Sequence, residues 1–222
     1  MTISFKDKVA IVTGAGGGLG RCHALQFAER GAKVIVNDLG GSVDGSGGSS
    51  EAADKVVEEI KAMGGDAISN GSSVTDKAGV KKLVDDAMAS YGRIDILLNN
   101  AGVLRDKSFA KVTLDDFEFV VDVHMMGSVY CTKAVWPIMV EQKYGRIVMT
   151  SSSSGIFGNF GQSNYGSAKM GVVDEYMISH FFKRATMIGI LFGNVDFHMK
   201  RYTDLTQSNI QSINEDDGIN LS

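Results

Sequence analysis

With 222 residues, 44% of them hydrophobic, and a formal net charge of -4, the chain can build one full core and needs no second domain. The mild acidity, with no clustered basic stripe, excludes a nucleic-acid surface. No apolar run reaches the length of a bilayer span and the polar start MTISFKDK lacks the apolar core of a secretory signal, so a soluble intracellular chain is expected.

In chain order, Val9 to Thr13 is a short β-rich run. The glycine turn Gly14 to Gly20 follows, then a helical stretch to Arg30 closed by Gly31, then a strand Val34 to Asn37 ending at Asp38. Strand, glycine turn, helix, strand is a βαβ unit. The strict GxGxxG spacing would need glycine at Leu19; the spacing here is Gly14, Gly18, Gly20. Glycines in that turn let backbone amides at a helix start approach a pyrophosphate, although a flexible turn would have the same composition. No Lys-Ser or Lys-Thr follows, which excludes a Walker-type loop. Asp38 stands where an acidic side chain accepts from adenosine ribose hydroxyls and repels a 2′-phosphate, so NAD is preferred over NADP.

The Gly/Ser-rich stretch Gly40 to Ser50 reads as a mobile surface loop. Ala53, Val56, Val57 and Ile60 then form one face of a helix ended by Gly64-Gly65, and Ala67 to Ser69 suggests a third strand, with Ser73-Val74 bordering an adenine pocket. A further helix carries Val80, Leu83, Val84, Ala87, Met88 and Tyr91 behind an expected Thr75 cap. Ile94 to Leu98 reads as a buried strand with Asn99-Asn100-Ala101-Gly102 at its carboxyl end, where ligands bind in a doubly wound sheet. Thr113-x-x-Asp116 opens a largely helical segment to Tyr144 that contains His124 and the one proline, Pro137. Cys22 and Cys131, both in expected helices, show no metal-ligand spacing and are expected to pack; no metal site is predicted.

Arg146 to Thr150 returns as a strand delivering Ser152. Beyond it, Tyr165 and Lys169 are spaced i, i+4, so a helix starting near Asn164 places phenol and ammonium on one face. A nearby cation favours the phenolate, and the Ser152 hydroxyl could hold a carbonyl or alkoxide oxygen beside it. Chance pairing on a surface helix is the other reading of Tyr165 and Lys169 taken alone. The alternation of strands and helices specifies an α/β fold: a doubly wound, Rossmann-like parallel sheet in three layers.

Thr13-Gly14-x-x-x-Gly18-x-Gly20, Asp38, Asn99-Asn100-Ala101-Gly102, Ser152 and Tyr165-x-x-x-Lys169, in that order, resemble the short-chain dehydrogenase/reductase family. Asn37 to Gly41, Ala52 to Gly65, Leu104-Arg105-Asp106 and Gly155 to Tyr165 are similar to its (3R)-hydroxyacyl-CoA dehydrogenase branch in peroxisomal multifunctional enzymes. The resemblance implies oxidation of (3R)-hydroxyacyl-CoA with NAD in β-oxidation, a peroxisomal location and a homodimer. It makes Tyr165 the base, Lys169 its partner and a nicotinamide-ribose ligand, and Ser152 the substrate-oxygen donor. It also places NAD against Thr13, Gly14, Gly18, Leu19, Gly20, Asp38, Ser73, Val74, Asn100, Ala101 and Gly102. Where the wider family has an Asn that supports a proton-relaying water, this chain has His124, which could equally be a buried packing residue.

The resemblance runs to about Gly171. Met187 to Phe192 offers a substitute for the family's next strand, and Asn194 to Ser222 reads as a weakly ordered polar tail, so the C-terminal part of the family fold is expected to be altered. Two alternatives accompany the dehydrogenase: an impaired fold that binds NAD or pairs with other subunits, and a 3-oxoacyl reductase running the same chemistry in reverse.

Overall fold

A computed structural model of the chain describes residues 3–49, 51–173 and 188–192. The first apolar run is β1 (Val9–Thr13), buried along its whole length. Beside it lie β2 (Lys33–Asn37), β3 (Asp66–Asn70), β4 (Ile96–Asn99) and β5 (Arg146–Ser151). These five pair in parallel, with Val9 opposite Lys33, Val34 opposite Ala67, Ala10 opposite Ile96 and Leu97 opposite Ile147. The strand expected over Met187 to Phe192 is β6 (Ile188–Phe192), next to β5 in the order β3-β2-β1-β4-β5-β6. Two compact units meet at residues 191 and 192; the second, to which the expected polar tail belongs, lies outside the described residues apart from Phe192.

Parallel strands need crossovers, and here helices supply them: α1 (Gly18–Glu29), α2 (Glu51–Ala62), α3 (Lys77–Tyr91), α4 (Leu114–Val121) and α5 (Gly127–Glu141). Both sheet faces are therefore covered, which is why the strands read as continuous Val, Ile and Leu runs. Alternate side chains serve opposite layers. Val9, Ile11, Ile35, Leu97 and Ile147 pack with Val80, Leu83 and Val84 of α3 and Cys131, Val135 and Met139 of α5. Val12, Val34, Val36 and Leu98 pack with Ala24 and Ala28 of α1 and Ala53, Val56, Val57 and Ile60 of α2.

Several local details differ from or add to the expectations. The cap of α3 is Asp76, whose carboxylate accepts from Ala78 N and Gly79 N at 3.0 Å, while Thr75 bonds the Ser73 hydroxyl; an ionised acceptor at a helix start also meets the helix dipole. The buried strand expected at Ile94 to Leu98 is shifted to Ile96–Asn99, and the helical run ends at Glu141 rather than Tyr144. Cys131 packs, but Cys22 is exposed. The Gly40 to Ser49 stretch is an exposed surface loop, as expected, and carries hydrogen bonds of its own. Ser46 N and both Ser42 and Ser46 hydroxyls bond the Asp44 carboxylate, and Leu104 N donates to Val43 O at 2.8 Å. No described helix is long and apolar enough to cross a membrane.

The amino edge of the sheet, away from the ligand-binding edge, is fastened by Asp95. Fully buried, it accepts from Val9 N at 3.0 Å and twice from Arg93 at 2.7 Å, while its backbone bridges Val9 O and Arg146 N. Asp95→Ala leaves buried donors unpaired and is expected to cost about 2–4 kcal/mol in urea unfolding, with nucleotide affinity of the folded fraction unchanged.

Candidate active site

The site begins where the sheet reverses direction, between β1 and β4. There the chain turns sharply at Gly14, with φ of 62°, and a Cβ on Gly14 would lie 2.7 Å from Ala101 Cα. A Cβ on Gly20 would collide with Gly14 O and sit 2.6 Å from Asn100 Nδ2. Glycine at both places lets α1 start tight against the ends of β1 and β4. Asn100 Nδ2 donates to Thr13 O and Gly14 O at 3.0 Å, and the Thr13 hydroxyl receives Asn100 N and Ala101 N at 3.0 and 3.1 Å. Thr13, expected to touch the cofactor, is 1% exposed and does not line the cavity, and neither does Gly20; both shape it from behind.

The cavity holds about 630 Å³, within the range of small-molecule and cofactor sites. Gly14, Gly18, Leu19, Asp38, Ser73, Val74, Asn100, Ala101, Gly102, His124, Tyr165 and Lys169 all line it, so most of the residues chosen from the sequence come together. Asp38 Oδ2 accepts from Gly16 N at 2.7 Å and Oδ1 from Gly40 N at 2.6 Å. A carboxylate has about four acceptor positions, so two remain for ribose hydroxyls. Sequence reasoning missed Val43, Gly45, Leu104, Phe119 and Thr150 in the wall. The first two lie in the Gly/Ser loop, whose composition resembles a linker and whose docking depends on residues about sixty positions away.

The other end of the cavity carries the chemistry. A short helix α6 (Ser153–Phe157) follows β5, capped by the Ser152 hydroxyl, which accepts from Ser154 N at 3.2 Å. Ser152 does not line the cavity. Helix α7 (Ser163–Gly171), starting one residue before the expected Asn164, holds Tyr165 and Lys169. Lys169 is 4% exposed; its Nζ donates to Thr150 O at 2.6 Å and stands 5.6 Å from the Tyr165 ring centroid. Burial pushes its ammonium down to about 8.

His124 sits in a π turn, Asp122–Met126, joining α4 to α5. Its ring meets that of Tyr165 edge-on, centroids 5.1 Å apart at 89°. Nε2 bonds the backbone of Val103, and Nδ1 is buried with no hydrogen-bond partner among the described residues. A Cβ on Gly102 would press into this ring, 2.9 Å from Nδ1. Burial, and then the Lys169 charge, pushes the imidazole down to about 3, so His124 is neutral at physiological pH. Among the described residues there is no cluster able to hold a metal ion.

A parallel sheet with a glycine turn at its switch point, an acidic residue ending β2 and a Tyr-x-x-x-Lys helix beside a serine defines a dinucleotide-dependent oxidoreductase. The short chain dehydrogenase family model matches residues 8–180, and the chain belongs to that family. It is 59% identical over 173 residues to peroxisomal multifunctional enzyme A of Dictyostelium discoideum, covering 78% of this chain and 38% of that relative. The chain thus spans well under half the length of that relative. The structure of full-length peroxisomal multifunctional enzyme type 2 from Drosophila melanogaster superposes with a TM-score of 0.70 at 40% identity, over 91% of this chain and 33% of that one. A 7α-hydroxysteroid dehydrogenase complexed with NADH and 7-oxo glycochenodeoxycholic acid gives 0.75 at 28% identity, over 83% and 69%. Family and neighbours together support a nicotinamide cofactor.

Lys169 makes the ligand-free protein sensitive to alkali. Below pH 8 the folded state holds a buried ammonium; above it the folded state sheds that proton, while the unfolded chain keeps its own to about 10.4. The unfolded state then binds more protons, so this residue makes stability rise between pH 8 and 10.4, by on the order of 3 kcal/mol. Denaturant unfolding across that window should show the rise relative to Lys169→Met, which lacks it.

Proposed function

We propose that the chain is an NAD-dependent dehydrogenase that oxidises (3R)-hydroxyacyl-CoA to 3-ketoacyl-CoA, as in peroxisomal β-oxidation. The observation carrying this reading is the convergence of the glycine turn, Asp38, Tyr165 and Lys169 on one cavity, in a chain similar to peroxisomal multifunctional enzymes. The residues present fit the cofactor. Leu19 and the glycines at the α1 start face the cavity, where unpaired helix-start amides favour a pyrophosphate. Asp38 has acceptor capacity left for a ribose, and Ser73 and Val74 wall the adenine side.

When bound, the nicotinamide would take up the hydride released from C3 of the substrate. The protein's part is proton handling and placement. The Tyr165 oxygen takes the hydroxyl proton, and the buried Lys169 ammonium, held by Thr150 O, places a positive charge beside its ring. Ser152 lies just outside the cavity lining, after Thr150 in its wall; its O–H donates no hydrogen bond among the described residues and is the donor assigned to the substrate oxygen. His124, neutral and engaged with Val103, seats the tyrosine ring rather than carrying charge.

Steady-state oxidation of (3R)-hydroxyacyl-CoA with NAD tests the reading directly. Tyr165→Phe keeps the ring and its His124 contact but loses the hydroxyl oxygen that takes the proton, so turnover should vanish while calorimetric NAD affinity holds; surviving activity would refute the mechanism. Among the described residues Asp38 is bonded by backbone amides and by no cationic side chain, so its negative charge would repel a 2′-phosphate. NAD should therefore bind at least tenfold, about 1.4 kcal/mol, tighter than NADP, and Asp38→Ala should narrow that gap.

A further inference from the structure

The segment Val103 to Lys107 is neither strand nor helix, yet it touches both ends of the site. On the adenosine side, Leu104 N holds Val43 O, and the Arg105 Nε donates to Asp44 O at 2.9 Å. The same guanidinium bonds Asp116 at 3.0 Å and lies 4.0 Å over the ring of Phe119, a residue of the cavity wall. Phe119 also abuts Gly45, where an added Cβ would fall 2.6 Å from its Cε1. The Arg105 side chain thus helps fasten the Gly40–Ser49 loop to the body of the fold, beside the bonds from Leu104 N to Val43 O and from Gly40 N to Asp38.

On the catalytic side, the carbonyl of the same residue accepts from Asn164 Nδ2 at 3.1 Å. Asn164 is fully buried, and its Oδ1 takes Tyr165 N at 2.8 Å, the amide of the proposed base. A single residue therefore joins the loop, through its guanidinium, to the first turn of α7, through its carbonyl. Two flanking contacts support the same junction: Lys107 N donates to Gly161 O at 2.9 Å, and Gln162 Nε2 donates to Asp106 at 2.7 Å.

We propose that Arg105 is a positioning residue that makes the docking of the Gly40–Ser49 loop and the seating of Tyr165 depend on one another. Occupancy of the adenosine half of the site then steadies the catalytic helix before any substrate arrives. This rests on the dehydrogenase reading above.

Hydrogen exchange on the full chain tests it with ADP, which has the adenosine and diphosphate of NAD but neither the nicotinamide nor its ribose, and so does not itself reach Tyr165 or Lys169. In the wild type, ADP is expected to slow exchange in Gly14 to Gly20, in the Gly40–Ser49 loop and in the first turn of α7. In Arg105→Ala, ADP affinity should fall about fivefold, and at saturating ADP the α7 protection should be lost while that of the glycine turn remains. Arg105→Lys keeps a cation for Asp116 but not the planar fork and stack, so it should restore the α7 protection only in part. It also carries the comparison should circular dichroism show the alanine variant unfolded. Unchanged α7 protection in both variants at saturation would overturn the coupling and leave the cofactor reading standing. If neither ADP nor NAD protects Gly14 to Gly20 in the wild type, the cofactor reading falls and the inference with it.

Discussion

The site depends on how the carboxyl ends of β1 and β4 are tied. Sheet hydrogen bonds run out at Thr13 and Asn99, where the two chains leave in different directions and a crevice opens. Backbone groups at that point would be buried without partners. Asn100 and Thr13 satisfy them reciprocally: one side-chain amide serves two carbonyls, and one hydroxyl serves two amides. Because both residues spend their polar groups on this knot, the crevice has fixed walls. Gly14 and Gly20 then let α1 begin against it at a distance no side chain would permit.

At the other end the constraint is electrostatic. A buried ammonium whose hydrogen bond among the described residues goes to a carbonyl raises the cost of any second positive charge nearby. His124, in that neighbourhood, is kept uncharged by burial and by Lys169 together. Aromatic packing between His124 and Tyr165 therefore involves a neutral imidazole, and Gly102 is the space that admits its ring. This end of the pocket sets one cation and one phenol beside a neutral imidazole and the Thr150 hydroxyl and carbonyl, which suits proton removal from a C–O group.

Local chemistry made much of this legible. Uninterrupted Val and Ile runs marked the doubly covered strands, and apolar spacing marked α2 and α3. Glycines, Asp38 and Tyr165 with Lys169 marked the ends of the cavity, since each is needed by a backbone approach or a charge at a fixed point. Thr13 is buried behind the cavity wall, because the motif shows that it matters, not which way it faces. Asp76 displaced Thr75 as a cap through one step of register, which composition does not settle. The docking of the Gly40–Ser49 loop was not legible for a deeper reason: besides local bonds to Asp44 it depends on Leu104 and Arg105, and no local pattern announces a hydrogen bond across that separation.

The π turn at Asp122–Met126 has a geometric consequence of its own. Gly127 N reaches back to Asp122 O, five residues rather than four, so the helix carries one residue more than an α-helix would over the same length. Each α-helical residue turns the axis by about 100°. The extra residue is thus a phase shift between two halves of a single rod. It lets α4 present Phe119, and the turn Val123, to the cavity while α5 presents Cys131, Val135 and Met139 to the sheet. Uniform helical winding over the same sequence would align one of these faces and rotate the other away. The rod serves ligand and core at once because its winding changes at the turn that carries His124.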